Sequence, residues 1–172
     1  CGIVPTAGNS VIIPDVPNRP MLSSGAAGSV NDLIIEQGSV LTVAGNAMRI
    51  SGSLTGSGTF DATAGTAEFA GLTPQAIPAD LFAGNSVMNL TVSNNAGVTL
   101  GGPLNVTGTV LVLNGNLDSS GHLTLVSDAT GTALIDGSGA GTVTGNVTMQ
   151  RYLPSRFGYR YFSSPFTSSL VS

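Results

Sequence analysis

Three of the nine carboxylates in this sequence are close enough together to suggest a shared task. Asp118 and Asp136 are separated by about the length of one solenoid coil, and Asp128 falls between them. Carboxylates that converge could bind calcium or supply the acid and base of a glycosidase. However, the glycine-aspartate nonapeptide of calcium-binding β-rolls is absent, because the segment GSGAGT carries no acid. We therefore interpret these aspartates as turn residues that accept hydrogen bonds from nearby backbone, with calcium binding as the alternative.

The sequence lacks the partners that a nucleophile or an imidazole metal site needs. His122 is the only histidine, which excludes a zinc site with several imidazoles, and we interpret it as an exposed turn residue. Cys1 is the only cysteine, which excludes an internal disulfide, and no base stands near it to activate the thiol. We expect no catalytic residue, no bound metal and no cofactor.

The C-terminal stretch 151–166 concentrates arginine and aromatic side chains, including three of the five basic residues and all three tyrosines. Such a mixture could form a surface for sugars or nucleic acid. We favour a cap that covers the end of the preceding structure, which predicts that Tyr152 and Phe162 are largely buried. The candidate residues for a surface or junction contact are Arg151, Tyr152, Arg156, Tyr159, Arg160 and Tyr161.

The composition limits what can position these side chains. The 172 residues include 24 glycines and 9 prolines, and only 8% of them are charged. Ordinary helical proteins carry about a quarter charged residues, and each glycine inside a helix costs about 1 kcal/mol relative to alanine. Disorder is also disfavoured, because 41% of the residues are hydrophobic and the net charge is only −4. The composition therefore predicts an all-β chain with many turns.

Charge and hydropathy also exclude classes of partner. The basic residues are all arginines and are scattered, which argues against a nucleic-acid groove. No apolar run approaches the roughly 20 residues that span a bilayer, and the first residues lack the order of a signal peptide. Because the chain begins with Cys1 and not with methionine, we expect missing upstream sequence. The alternatives are a lipoprotein processed at Cys1 and, as we favour, a piece of a longer polypeptide.

Apolar residues alternate with polar ones in short runs, a period of two that indicates β-strands. Glycine, asparagine, serine and aspartate stand between these runs and favour turns. Strands restart every six to eight residues, which is closer than the roughly 8–12 residues between the turns of a sandwich. This spacing predicts a right-handed parallel β-helix, or β-solenoid, in which two or three strands make one coil.

A solenoid core must be built from the inward residues of successive coils, stacked on one another. We expect sixteen apolar side chains to point into one continuous core. They are Leu33, Ile35, Leu41, Val43, Met48, Ile50, Leu90, Val92, Val98, Leu100, Leu104, Val106, Val110, Val112, Leu123 and Leu125.

Weak internal similarity suggests a further level of organisation. Leu33 aligns with Leu90, and other apolar positions follow at the same offset. This predicts two similar modules, at about 30–71 and 87–149. The segment 72–86 between them breaks the strand rhythm, and we expect it to be a loop that leaves the solenoid.

The proposed domain division follows from these patterns. Pro74 and Pro78 are the main reason to expect the excursion at 72–86, because proline cannot donate to a strand ladder. We assign residues 1–150 to the solenoid. Residues 151–172 are assigned to an aromatic-rich cap, or to a junction with a following β domain.

Longer strings resemble a known class of protein. The opening VPTAGNSVIIPDVPNRPML, the run MNLTVSNNAGVTLGGPLNVTGTVLVLNGNL and the junction GNVTMQRYLPSRFGYRYFSSPF are similar to β-solenoid segments of very large surface proteins of gliding bacteria. Such proteins, adhesins among them, are exported by the type IX secretion pathway. The resemblance covers nearly the whole chain, and the final string is its most distinctive part. It implies a scaffold and a location but no chemistry.

We therefore expect a non-enzymatic structural or adhesive segment of a large secreted or cell-surface bacterial protein. Its partners would be other domains of the same polypeptide, the secretion or anchoring machinery, or a surface polysaccharide. The alternative is part of a carbohydrate-active β-helix enzyme such as a polysaccharide lyase or hydrolase. An enzyme would show carboxylates and aromatic rings converging on one exposed face of consecutive coils, whereas a stalk would show dispersed serine, threonine and asparagine.

Overall fold

The computed structural model describes residues 5–154 apart from positions 24 and 26, and every regular element in this part is a β-strand. All strand pairs are parallel, and one isolated antiparallel bridge joins Ser127 to Thr132. The strands are β1 (Val11–Ile13), β2 (Met21–Leu22), β3 (Gly28–Val30), β4 (Leu33–Ile35), β5 (Val40–Ile50), β6 (Leu54–Gly56), β7 (Thr59–Phe69), β8 (Gln75–Ile77), β9 (Phe82–Leu100), β10 (Leu104–Val106), β11 (Thr109–Asp118), β12 (Leu123–Leu125), β13 (Leu134–Asp136), β14 (Thr142–Thr144) and β15 (Val147–Met149).

The strands stack in three columns, which we call faces A, B and C. The chain passes through A, B and C in turn and completes a β-solenoid of about 7 turns. Face A contains residues 11–13, 33–35, 54–56, 75–77, 98–100, 116–118 and 142–144. Face B contains 21–22, 40–43, 59–62, 82–87, 104–106, 123–125 and 147–149. Face C contains 28–30, 47–50, 66–69, 89–92, 109–112 and 134–136.

We number the coils from each passage through face A, so coil 1 begins at β1, coil 3 at β6 and coil 4 at β8. The longer strands pass around corners without losing their pairing. β9, with 19 residues, covers all three faces of one turn. Backbones approach closely at these corners, and a Cβ on Gly115 would collide with the carbonyl oxygen of Asn94 in the coil below. Glycine, with its positive φ of 74°, is therefore required there.

The core includes all of the predicted inward side chains. All sixteen belong to one buried cluster, and none is more than 8% exposed. They alternate with outward residues along each strand, most of them polar, as a half-buried pleated strand requires. The prediction of a parallel solenoid with a stacked apolar core is confirmed. Its right-handed sense of coiling stays a prediction.

The strand register does not support the two modules at 30–71 and 87–149. Leu33 lies on face A, whereas Leu90, its counterpart in the second module, lies on face C. The repeating unit is a single coil: Leu104 pairs with Leu123 of the next coil, and bulges lengthen other coils. The apparent repeat arose because every face presents the same alternation of apolar and polar residues.

The segment 72–86 also differs from the prediction of a loop that leaves the solenoid. Its residues Gln75 to Ile77 form β8, which pairs with the end of β9 on face A. Leu81 and Phe82 are buried in the core, where the Phe82 ring lies 5.0 Å from that of Phe60. The corner around Leu72, which is 94% exposed, lies at the surface. Because proline lacks an N–H, it weakens hydrogen bonding to the neighbour on one side of a strand, but the strand can still form and pair on its other side.

Candidate functional site

The three aspartates considered for calcium lie on different parts of the solenoid. Asp118 ends β11 on face A, Asp136 ends β13 on face C, and Asp128 lies in the loop between β12 and β13. Asp118 Oδ1 accepts a hydrogen bond from the Ser120 N–H at 2.9 Å. Within the described ranges, no group of three or more His, Cys, Asp or Glu side chains could hold a metal ion. The structure does not bring these carboxylates together.

Asp128 and Asp136 serve their own turns. Asp128 Oδ1 accepts hydrogen bonds from the amide and hydroxyl of Thr130, at 2.7 and 2.6 Å, and from the Gly131 amide at 3.1 Å. The Thr130 hydroxyl, followed by these two amides, lowers the pKa of Asp128 from its ordinary value. The Ser138 amide, followed by its hydroxyl, does the same to the pKa of Asp136. Both carboxylates are thus held ionised by their own turns.

His122 has a backbone role in the turn before β12. Its N–H donates to the carbonyl of Ser119 at 2.7 Å, and its carbonyl accepts from the Leu104 N–H of the coil below at 2.9 Å. The residue lies in a turn, as predicted, but it is half-buried rather than exposed. No metal-binding group of described residues includes it.

The outer faces carry small polar side chains with scattered charges. On face C, the Arg49 guanidinium pairs with the Glu68 carboxylate of the next coil, with Nη1 and Oε1 3.2 Å apart. Face B presents an outward column made of Met21, Thr42, Asp61, Ser86, Asn105, Thr124 and Thr148. The outward column of face A is made of Ile12, Ile34, Thr55, Ala76, Thr99, Asp118 and Thr144. These two columns each hold one carboxylate and no aromatic ring, whereas the face C column, made of Ser29, Arg49, Glu68, Thr91, Leu111 and Asp136, holds two carboxylates.

A cleft of about 350 Å³ opens on face A between β6 and β8, where coil 3 meets coil 4. These strands do not pair, whereas the other neighbouring strands described on face A do. The two sides of the cleft come from the two coils. Its lining residues are Asp32, Gly52, Ser53, Leu54, Thr55, Thr73, Pro74, Gln75 and Ala76.

Asp32 is the only carboxylate in the lining of this cleft. Its Oδ1 accepts from the amide and hydroxyl of Ser53, both at 2.8 Å. Its Oδ2 accepts from the Ser10 hydroxyl at 2.7 Å and from Asn31 Nδ2 at 2.8 Å. The Ser53 amide is the largest cause, with the hydroxyls next, of a pKa lowered to about 2. Asp32 therefore joins the corners that precede β1, β4 and β6, and an acid so strongly ionised is poorly suited to proton transfer at neutral pH.

Gln75 and Asn94 form a buried polar network behind the cleft. Gln75 Nε2 donates to the carbonyls of Ile50 and Gly52, at 3.1 and 2.6 Å. Gln75 Oε1 accepts from the Gly71 amide at 2.9 Å and from Asn94 Nδ2 at 2.8 Å. Asn94 is fully buried and Gln75 is 7% exposed. One amide side chain thus joins the start of β8 to the corner that precedes β6, beside the point where these two strands do not pair.

Asn94 extends the network to the corner that contains it and to the corner around Leu72. Its Nδ2 also donates to the Thr73 carbonyl at 2.8 Å, and its Oδ1 accepts from the Ala96 amide at 2.8 Å. The sequence patterns did not identify Asp32, Gln75 or Asn94 as members of a site. One signal for Gln75 was available in the sequence. The triplet Gln75–Ile77 has the same alternation as the triplet Val98–Leu100, in which the first and third residues point inward, and this marks Gln75 as an inward residue.

Two of the C-terminal candidates, Arg151 and Tyr152, lie within the described residues. Tyr152 is 46% exposed, which contradicts the expectation that it is largely buried, and Arg151 is exposed. The Tyr152 amide donates to Ser127 Oγ at 3.0 Å, so the backbone is held while the ring faces solvent. The remaining candidates and the second predicted cap ring lie outside the described residues, so the cap stays a prediction. They are Arg156, Tyr159, Arg160, Tyr161 and Phe162.

Comparisons with known proteins found no relative. No protein-family model matches the chain, and no curated protein or solved structure matches it. Across the residues that the structure covers, there is no helix of the length and apolar character that a membrane crossing needs.

Proposed function

We propose that this chain is a non-enzymatic, extended segment of a large secreted or cell-surface bacterial protein, where it serves as a scaffold or adhesive stalk. The observation that supports this most is the distribution of side chains on the outer columns. Threonine is the commonest residue on the outer columns of faces A and B, and the carboxylates are dispersed: Asp61 lies on face B, Asp118 on face A, and Glu68 and Asp136 lie three strand steps apart on face C. Such a surface suits a solvated spacer.

The competing proposal is part of a carbohydrate-active β-helix enzyme. A glycosidase needs two carboxyl groups about 5–9.5 Å apart, one of them with a raised pKa. Asp118 and Asp136 lie on different faces, and the pKa of Asp136 is lowered. The cleft between β6 and β8 offers only Asp32, whose pKa is also lowered and whose oxygens already accept four hydrogen bonds. These features favour the scaffold.

The proposed location rests on the sequence resemblance to surface proteins of gliding bacteria. Export by a type IX pathway and contact with the anchoring machinery belong to the same proposal. The partners would be other domains of the same polypeptide, with a surface polysaccharide as the adhesive target. A stack of parallel coils suits this role, because its length grows by about 4.8 Å per coil without any change in cross-section.

An activity screen separates the two proposals. The full chain is incubated with neutral and acidic polysaccharides, and new reducing ends and unsaturated uronates are measured. The scaffold predicts no product above the buffer blank. Product formation that the double variant D118N/D136N abolishes would overturn the proposal in favour of an enzyme.

A glycan array then separates an adhesive stalk from a passive spacer. Saturable binding to a surface polysaccharide without its cleavage would support adhesion, and lack of binding to any glycan would leave the spacer role. Binding that the cleft variant S53A/T73A removes would locate the contact on face A, whereas the matched variant T42A/T124A reports on face B.

A further inference from the structure

The junction between coils 3 and 4 differs from its neighbours on face A. Here β1 pairs with β4, β4 with β6, β8 with the end of β9, and the end of β9 with β11. Between β6 and β8 there is no pairing, so the described part of face A is divided into two separate ladders. On faces B and C the strands on either side of this junction remain joined through β7 and β9.

The sequence of β8 explains the break. Backbone groups of successive residues in a strand point to opposite neighbours. The Ile77 carbonyl accepts from the Gly101 amide, so Gln75 and Ile77 direct their backbone groups to β9. Residues 74, 76 and 78 therefore face β6. Two of these three are prolines without an N–H, so Ala76 alone can donate towards β6.

The same junction is irregular on face B. Phe60 pairs with Phe82, but Ala62 pairs with Val87 where an unbroken register would give Gly84, so β9 bulges by three residues. The bulge includes Asn85, whose backbone, like that of Asp80 just before β9, has a positive φ. Left-handed backbone is uncommon outside glycine, although asparagine and aspartate tolerate it best. The irregularities on two faces thus fall between the same two coils.

Side chains replace the missing ladder. The Gln75 carboxamide reaches the Ile50 and Gly52 carbonyls at the corner between faces C and A. On face B, the Phe60 amide donates to the Leu81 carbonyl at 2.8 Å, and the rings of Phe60 and Phe82 pack together. At this corner the Gln75 side chain thus adds to a single backbone bond, from the Ala70 amide to the Ile50 carbonyl at 2.9 Å, whereas the other neighbouring strands described on face A are joined by backbone ladders.

We infer that the junction of coils 3 and 4 is a built-in hinge at which the solenoid opens before any other internal junction, and that Gln75 is its latch. The blocks on either side, coils 2 to 3 and coils 4 to 6, are paired on all three faces and keep these ladders when it opens. Local openings of this kind draw on the least stable contacts of a fold. This inference holds whether the chain is a scaffold or part of an enzyme.

Site-resolved amide exchange in the full chain tests the hinge. The Phe60 amide bonds across the hinge, whereas its neighbour, the Thr59 amide, bonds to the Ser39 carbonyl of coil 2 at 2.9 Å. The Leu104 amide bonds to the His122 carbonyl between coils 5 and 6, also at 2.9 Å. We expect Phe60 to lose its proton at least about tenfold faster than the other two, after correction for intrinsic rates.

Variants then test the latch. Gln75→Leu should speed exchange of the Phe60 amide by about a further tenfold and leave Leu104 unchanged. The matched control Ser119→Ala removes another inter-coil bond of a buried residue, from Ser119 Oγ to the Asn146 carbonyl, and should leave exchange of the Phe60 amide unchanged. Equal protection of Phe60, Thr59 and Leu104 in the unaltered chain would overturn the hinge, even if Gln75→Leu did not fold. An equal response of Phe60 to both variants would overturn the latch.

Discussion

Two junctions of this solenoid are built in different ways. Between β10 and β12, Leu104, Asn105 and Val106 pair one to one with Leu123, Thr124 and Leu125, without a bulge. Between β6 and β8 the corresponding ladder is missing, and a buried glutamine spans the gap at its corner.

The difference shows what a parallel solenoid requires. Apolar stacking continues through both junctions: Leu54 and Ile77 beside the break are as well buried as Leu104 and Leu123. Backbone pairing is a separate requirement, and it can fail on one face when prolines remove the donors. The fold tolerates the failure because the same two coils stay paired on faces B and C.

The largest expected effect comes from the shared core. Phe60→Ala should lower the free energy of unfolding by about 3–5 kcal/mol, because the fully buried ring leaves a cavity beside Phe82. Chemical denaturation measures the loss. Leu134→Ala, at a side chain 51% exposed, is the control and should cost less than about 0.5 kcal/mol. Equal losses at both sites would contradict a core that runs through the irregular junction.

The next largest effect on the free energy of unfolding should come from the buried network of Gln75 and Asn94, which lies at the irregular junction of coils 3 and 4. Gln75→Leu and Asn94→Leu should each cost about 1–3 kcal/mol, because buried backbone groups lose their partners. A double-mutant cycle should give a coupling of about 0.5–3 kcal/mol, since the two side chains are in direct contact. The exposed Asn114→Leu is the control. Additive effects of the two substitutions would show that the network is not a unit.

Low pH should destabilise the coils that precede the junction of coils 3 and 4, through the carboxylate of Asp32. Hydrogen bonds lower the pKa of Asp32 from 3.8 to about 2 in the folded chain, so its contribution is present above the unfolded value. That contribution is lost as the pH falls from about 4 towards 2. The melting temperature of Asp32→Ala should therefore decline less steeply over this range than that of the unaltered chain. Parallel pH profiles would contradict the assignment.

The smallest effect should come from an exposed ion pair on face C. Arg49 and Glu68 form an ion pair across β5 and β7, with 47% and 20% of their side chains exposed. A double-mutant cycle should give about 0.2–1 kcal/mol and should shrink in high salt, because solvent screens the pair. A larger coupling energy that does not change with salt would contradict this expectation, because it would mean that ion pairs on the outer faces contribute substantially to the stability of the fold.

The sequence predicted those parts of the fold that depend on local pattern. Alternation of apolar and polar residues identified every inward residue tested, such as Leu90 and Leu123, because burial on a pleated strand follows a period of two. It did not identify the coil length. Coils gain or lose residues, as in the bulge between Phe82 and Val87, and so one constant offset aligned positions that lie on different faces.

The candidate site depended on contacts that local pattern does not encode. Pro74 and Pro78 marked an interruption of the ladder on face A. Whether proline ends a strand, or only prevents its pairing on one side, depends on which neighbouring strand it faces. The burial of Gln75 and Asn94 follows from carbonyls that other coils bring to them. The aspartates were simpler, since turn capping needs only residues two positions away.

A distance between two coils tests the extended stack most directly. Spin labels are placed at T42C and T148C, both outward on face B, after Cys1→Ser removes the native thiol. Thr42 and Thr148 are five strand steps apart, which predicts a narrow distance distribution centred near about 24 Å between their backbones, plus the label linkers. A broad distribution, or a centre far from that value, would contradict the account of a continuous solenoid that spans the hinge.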